Sequence, residues 1–84
     1  MPKVEIYTTP TCPSCHAAKA LLDDKGVAYD EITVLDPELR AKMTQRAQGR
    51  RTVPQVFVDD THLGGYDDVA ALDRQGKLDQ LLAQ

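Results

Sequence analysis

The feature that most constrains this chain is the segment Thr11 to His16, which holds its only two cysteines, Cys12 and Cys15. The segment lies where a strand-like stretch gives way to a helix-forming one. Pro13 suits the first turn of a helix because its missing N–H has no intrahelical acceptor there. Cys12 is then predicted at the helix N-terminus, with Cys15 one turn further on, and this spacing allows a disulfide between them.

The predicted position of Cys12 favours a reactive sulfur. Unpaired backbone N–H groups and the positive end of the helix dipole stabilise a thiolate relative to a thiol. We therefore expect Cys12 to be the nucleophile and Cys15 to be the resolving partner. A purely structural disulfide is the weaker interpretation, because so short a loop gains little stability from chain entropy and the expected compartment is reducing.

Length and charge indicate the class of protein. The chain has 84 residues, which predicts a single domain over residues 1–84 with one modest core. Its net charge is -3 and its basic residues form no long run, so nucleic acid is not an expected partner. No long apolar run follows the N-terminus, so we expect no secretory signal, no membrane span and a cytoplasmic location.

Hydrophobic patterns and turn signals predict eight elements in the order β-α-β-α-β-β-α-α. The predicted strands are residues 3–8, 27–34, 55–58 and 62–63. The predicted helices are residues 15–25 (with Pro13 in the first turn), 37–48, 69–75 and 77–83. A β-α-β start implies a right-handed crossover and a parallel strand pair. The later hairpin adds two antiparallel strands to this pair. We therefore predict an α/β fold of thioredoxin-like type, a four-stranded mixed sheet flanked by helices, with Cys12 at the carboxyl end of the first strand.

Three separated motifs resemble those of the dithiol glutaredoxins of the short bacterial kind: Cys12-Pro13-Ser14-Cys15, Thr52-Val53-Pro54 and Gly64-Gly65-Tyr66-Asp67-Asp68. The resemblance covers essentially the whole chain. It implies a glutathione-dependent thiol–disulfide oxidoreductase that reduces glutathionylated proteins and protein disulfides. Glutathione would be its co-substrate, no resident metal is expected, and the protein would act as a monomer.

The resemblance also implies which residues bind glutathione. Pro54 is similar to the cis-proline that faces the active cysteines in thioredoxin-like proteins, and Val53 would pair its backbone with the cysteinyl part of glutathione. Gly65, Tyr66 and Asp67 fall where the family binds the γ-glutamyl end, through helix N–H groups and a carboxylate. The rest of the predicted set comprises Ser14, Thr52 and Arg51, the last of them near the glycyl carboxylate.

Two positions depart from the family pattern. Thr9 stands three residues before the nucleophile, where the family usually has Lys or Arg, and Ser14 stands where it usually has an aromatic residue. The first departure removes a cation that would stabilise the thiolate, and the second removes a wall of the site. We therefore expect the Cys12 thiolate to be less stabilised than in relatives that keep the cation.

Other functions remain open for the cysteines. A homodimer could hold a [2Fe–2S] cluster with Cys12 of each chain and two glutathiones, as some glutaredoxins do; the small Ser14 could admit it, whereas Pro13 is not typical of cluster binders. A thioredoxin-like electron donor served by a flavoprotein is disfavoured by the second and third motifs. Zinc would need a fourth ligand from a chain without further cysteines. We expect His16 to be an exposed spectator and His62 to lie on an edge strand.

Overall fold

The computed structural model describes residues 2–83, which form four strands and four helices. The strands are β1 (Val4–Thr8), β2 (Asp30–Thr33), β3 (Gln55–Val58) and β4 (Thr61–Gly64). The helices are α1 (Pro13–Asp24), α2 (Pro37–Arg46), α3 (Tyr66–Arg74) and α4 (Lys77–Leu82). This order confirms the predicted one. None of the helices in the described range is long and apolar enough to cross a membrane.

The strands form one mixed sheet in the order β2-β1-β3-β4. β1 runs parallel to β2 and antiparallel to β3, with Tyr7 opposite both Ile32 and Gln55. β3 and β4 form an antiparallel hairpin with an irregularity between Val56 and Phe57. The predicted thioredoxin-like sheet is thus confirmed, and His62 lies on the edge strand β4 as expected.

Both faces of the sheet are covered by helices. Successive residues of a strand point to opposite faces, so Ile6 and Val56 face one side while Tyr7 and Phe57 face the other. The first side packs against α1, α3 and α4, and the second packs against Met43 of α2. All four residues of β3 are buried, which explains why its sequence is apolar on successive positions rather than alternating.

Several predicted boundaries were wrong, and the largest error concerns β2. The predicted strand began at Val27, but the ladder begins at Asp30, opposite Glu5. The Val27 N–H instead donates to the Leu22 carbonyl at the end of α1, so this part of the chain still belongs to the end of the helix. Val27 and Tyr29 nevertheless pack against the core from outside the sheet, as partly buried side chains.

The helix boundaries also differ from prediction. α1 begins at Pro13 with Cys12 as its N-cap, which confirms the placement of Pro13 in the first turn. α2 ends at Arg46 rather than Gln48, because Gln48 adopts a left-handed conformation with φ 58°. α3 begins at Tyr66 rather than Val69, because Asp68 Oδ2 accepts a hydrogen bond from the Gly65 N–H at 3.0 Å and so caps the helix three residues earlier. The glycine pair thus starts a helix as well as ending a strand.

Arg46 of α2 ties that helix to the sheet. Its Nη2 lies 2.7 Å from Glu5 Oε1, its Nη1 donates to the Tyr7 hydroxyl at 3.2 Å, and its guanidinium lies 4.1 Å from the centre of the Phe57 ring. The Glu5 side chain is only 15% exposed, so this ion pair is partly shielded from water. The hydrogen bond from Arg46 lowers the pKa of Glu5 below its usual value.

Replacing Glu5 by Gln keeps a hydrogen-bond acceptor and removes the charge that faces Arg46. Because the pKa of Glu5 is lowered in the folded state, the stability that its charge contributes is present above the unfolded pKa and is lost as the pH falls through the folded pKa. We expect Glu5→Gln to lower the free energy of unfolding by about 1 kcal/mol near neutral pH and by less at about pH 3, which lies below the unfolded pKa of a glutamate. Urea unfolding at both pH values measures this, with Asp60→Asn in the exposed β3–β4 turn as control. A loss that does not depend on pH would contradict the assignment.

Candidate active site

The two cysteines lie at the N-terminus of α1 and are joined as a disulfide. Cys12 is the N-cap residue of the helix, and its Sγ accepts a hydrogen bond from the Cys15 backbone N–H at 3.1 Å. The exposed fraction is 8% for Cys12 and 0% for Cys15. Only Cys12 therefore reaches the surface, and an incoming sulfur can attack, or be attacked by, Cys12 but not Cys15.

The electrostatic setting of Cys12 favours negative charge on its sulfur. The first turn of α1 carries no acidic residue, so nothing in that turn neutralises the positive end of the helix dipole. The N–H of Cys15 points directly at the sulfur, and a hydrogen bond to an ionised acceptor is stronger than one to a neutral acceptor. The reduced sulfur of Cys12 is therefore held where a thiolate is stabilised.

The Thr52-Val53-Pro54 motif lies beside Cys12. The Val53–Pro54 peptide bond is cis, which confirms the expectation from the resemblance. The Val53 carbonyl oxygen lies 3.8 Å from Cys12 Sγ, and no hydrogen lies between them while the sulfur is in a disulfide. Residues 51–54 belong to no strand or helix, so no ladder pairs the Val53 backbone. That backbone runs past the reactive sulfur and can pair with an extended ligand.

A cavity of about 160 Å³ brings the three sequence motifs together. It is lined by Ser14, Arg50, Thr52, Val53, Pro54, Gly65, Tyr66, Asp67 and Asp68. Seven of the predicted glutathione-binding residues are among them, whereas Arg51 is not. Its lining includes Tyr66 and Asp67 of the first turn of α3 and also Val53, whose carbonyl oxygen lies near Cys12 Sγ.

Arg50 and Asp68 are two cavity residues that the sequence interpretation did not select. Arg50 Nη1 lies 2.7 Å from Asp68 Oδ2, the oxygen that also caps Gly65. The hydrogen bond from Arg50, followed by that from the Gly65 backbone, lowers the pKa of Asp68. This contact ties the loop before Thr52 to the start of α3. The spacing of Gly65 and Asp68 is a capping signal that could have identified Asp68, but no pattern marks Arg50 over Arg51.

Arg51 lies in a neighbouring groove of about 720 Å³. This groove is lined by Val34, Leu35, Asp36, Pro37, Arg40, Ala41, Thr44, Gln45 and Arg51. It is the larger of the two spaces but contains neither cysteine. Arg40 Nη1 donates to the Arg51 carbonyl at 2.6 Å, which holds the loop just before Thr52. The assignment of Arg51 to the glycyl carboxylate therefore stays a prediction.

The histidines lie as expected. His16 is exposed on α1, and His62 is partly buried on β4, away from the disulfide in sequence and in the sheet. Within residues 2–83, no group of three or more His, Cys, Asp or Glu side chains is arranged to hold a metal ion.

Comparisons with known proteins agree on one family. A family model described as Glutaredoxin matches residues 4–63. The chain is 54% identical over 81 residues to a probable glutaredoxin of Synechocystis sp., which covers 95% of this chain and 92% of that protein. It is 50% identical over 82 residues to glutaredoxin 3 of Escherichia coli K12, which covers 98% of this chain and 99% of that protein.

Solved structures give the same result. The solution structure of glutaredoxin from Brucella melitensis is 53% identical with a TM-score of 0.86, covering 98% of this chain and 89% of that one. The crystal structure of a buckwheat glutaredoxin–glutathione complex is 31% identical with a TM-score of 0.88, covering 98% of this chain and 77% of that one.

Replacing Gly64 by Ala tests the close approach between this glycine and the Arg50–Asp68 pair. Gly64 has φ +109°, and a Cβ there would overlap the Asp68 carboxylate and lie 2.8 Å from Arg50 Nη1. Gly49 has φ +94°, but no described atom lies within 4 Å of a Cβ at that position, so Gly49→Ala is the control for backbone strain. We expect a loss of about 1 kcal/mol for Gly49→Ala and at least about 2 kcal/mol for Gly64→Ala in urea unfolding. Equal losses would mean that the close approach contributes nothing.

Proposed function

The chain belongs to the glutaredoxin family of glutathione-dependent thiol–disulfide oxidoreductases, and we propose that its reaction uses Cys12 as nucleophile and Cys15 as resolving thiol. One observation carries this proposal. The two sulfurs are joined at a helix N-terminus, and Cys12 keeps an exposed fraction of 8% whereas Cys15 is fully buried. A buried second thiol can attack a mixed disulfide on its neighbour without competing for substrate.

On a glutathionylated protein, the Cys12 thiolate attacks the glutathione sulfur. The bond between that sulfur and the protein sulfur breaks, and the protein thiolate leaves and takes up a proton. A second glutathione thiolate then attacks the glutathione sulfur on Cys12, which releases glutathione disulfide and regenerates the Cys12 thiolate. This route needs only one cysteine.

On a protein disulfide, Cys12 attacks one substrate sulfur and the other leaves as a thiolate. Cys15 then attacks the Cys12 sulfur, which releases the reduced substrate and leaves the Cys12–Cys15 disulfide seen in the structure. Two glutathiones reduce this disulfide in turn, so the electrons come from glutathione in both routes. The N–H of Cys15 and the helix dipole stabilise Cys12 each time it attacks or leaves as a thiolate.

Glutathione is proposed to lie along Val53, with its γ-glutamyl end in the smaller cavity. The Gly65 N–H is already engaged by Asp68, so the glutathione α-carboxylate would accept from the N–H groups of Tyr66 and Asp67 in the first turn of α3. The Asp67 carboxylate lines the cavity and would receive the α-ammonium. The buckwheat complex supports glutathione as ligand of this fold.

The other predicted contacts complete the proposal. Ser14, Thr52 and Pro54 line the cavity around the cysteinyl part of glutathione. Arg51 would interact with the glycyl carboxylate from the adjoining groove. We further propose that one domain over residues 1–84 acts as a cytoplasmic monomer on glutathionylated and disulfide-bonded proteins. No contact described above favours the cluster-binding alternative, which we do not propose.

The cysteine assignment is tested by glutathione-dependent turnover of a glutathionylated peptide by wild type, Cys12→Ser and Cys15→Ser. We expect Cys12→Ser to be inactive and Cys15→Ser to remain active, because this route needs only Cys12, the more accessible of the two thiols. With a protein disulfide as substrate, both variants should lose activity. An active Cys12→Ser protein, or an inactive wild type, would overturn the proposed function.

Replacing Thr9 by Lys supplies the cation that the family usually has at this position, and it tests whether a charge there stabilises the Cys12 thiolate. We expect Thr9→Lys to move the pH midpoint of Cys12 alkylation in the reduced protein downward by roughly half a unit, because a cation near the sulfur favours the thiolate. Thr61→Lys is the matched control, since Thr61 pairs with Val58 at the end of the sheet opposite to the cysteines. An unchanged midpoint in Thr9→Lys, or an equal shift in both variants, would show that position 9 does not influence the sulfur.

A further inference from the structure

A fully buried amide lies directly behind the proposed glutathione site. Gln55 is the first residue of β3, and its exposed fraction is 0%. Its Nε2 donates to the Thr52 carbonyl at 3.0 Å and lies 3.3 Å from the Thr52 hydroxyl. Its Oε1 lies 2.6 Å from Nε2 of His62. A buried amide is costly unless its groups are paired, and here the pairing partners are Thr52 and His62.

These contacts determine the orientation of both side chains. If the Gln55 amide were flipped, its oxygen would face the Thr52 carbonyl, and two acceptors would oppose each other. With the amide as described, the Gln55 oxygen is an acceptor, so His62 Nε2 must carry the hydrogen. Burial, followed by the charge of Arg50, lowers the pKa of His62, so the ring is neutral at ordinary pH and its single N–H is on Nε2.

Gln55 is one of three side-chain contacts on the loop before β3, together with Arg40 on the Arg51 carbonyl and the Arg50–Asp68 pair. Residues 51–54 lie outside the sheet and the helices, yet they carry the backbone that passes 3.8 Å from Cys12 Sγ. The Thr52 carbonyl is fixed by Gln55, and Gln55 is in turn fixed by His62. His62 itself is stacked on Phe57, with 5.0 Å between ring centres and 29° between planes. A residue of strand β4 is thus connected to the loop beside Cys12 through one amide.

We propose that His62 is a positioning residue that acts through Gln55 to hold Thr52 and Val53 in the geometry that binds glutathione. The inference rests on the proposed function, because it concerns the affinity of that site. His62 makes no contact with the sulfurs and takes no part in proton or electron transfer. The competing explanation is that His62 only satisfies a buried amide and supports stability, which a test of binding can separate from positioning.

The test compares three replacements of His62 in the full chain. His62→Phe keeps the stacking on Phe57 and removes the N–H. His62→Gln places an amide nitrogen where Nε2 lies and can restore the hydrogen bond to Gln55, whereas His62→Asn places its nitrogen nearer to the position of Nδ1 and cannot. Leu82→Ala in α4 is the control for lost stability, because Leu82 belongs to the core on the other side of the sheet from Phe57.

The readouts are KM and kcat with a glutathionylated peptide, together with the free energy of unfolding. We expect His62→Phe and His62→Asn to raise KM about tenfold, the effect of losing one buried hydrogen bond, with a much smaller change in kcat. His62→Gln should rescue KM to within about twofold of wild type. Leu82→Ala should lose stability without raising KM.

Nitrogen NMR of the wild-type histidines gives an independent readout, and His62 should be protonated on Nε2. Three results would each overturn the inference. They are a folded His62→Phe protein with wild-type KM, equal KM values for His62→Gln and His62→Asn, and a wild-type His62 that is protonated on Nδ1. If His62→Phe does not fold, the KM values of His62→Gln and His62→Asn, together with the NMR result, decide whether the inference holds. A wild type without glutathione-dependent turnover would refute the proposed function instead, so the two failures are distinguishable.

Discussion

The hydrogen bond from the Cys15 N–H to Cys12 Sγ is the contact on which this structure depends. A helix must have an acceptor for its first N–H groups, and most helices use an oxygen from Ser, Thr, Asp or Asn. Here the acceptor is the sulfur that is proposed to do the chemistry. The start of α1 and the stabilisation of the thiolate are therefore one interaction, and Pro13 supports both by setting the backbone for the first turn.

The sheet explains why three motifs that are far apart in sequence meet around this sulfur. β1 ends just before the cysteines, and because β3 runs antiparallel to β1, its first residue Gln55 lies opposite Tyr7 near that same end. β4 is antiparallel to β3, so its last residue, Gly64, returns to the same end opposite Val56. The loop before β3 and the helix after β4 are thereby placed beside Cys12. Arg50 and Asp68 then join these two segments directly.

The overall fold and most of the site could be predicted because strong local signals coincide with the motifs. Pro13, the Asp36-Pro37 helix start and the apolar residues 56–58 of β3 each indicate one element, and the element order then limits the topology. The missed features depend on distant contacts. Arg50 rather than Arg51 lines the cavity, next to a left-handed backbone at residues 48 and 49 and a hydrogen bond from Arg40 to the Arg51 carbonyl. Neither of these features can be inferred from an Arg-Arg pair.

In this small oxidoreductase, the Arg50–Asp68 pair and the Gln55 amide hold the site in place, whereas other residues form its surface. These contacts hold the loop before β3 and the start of α3 on either side of the cavity. In contrast, Ser14 lines the cavity and is exposed, and Thr9, in the loop before the cysteines, is partly buried. Neither Ser14 nor Thr9 takes part in the strand pairing that brings the motifs together, so substitutions at these positions leave that pairing in place. The surface that meets a substrate can therefore be altered at these two positions while the sheet still holds the reactive sulfur beside Val53.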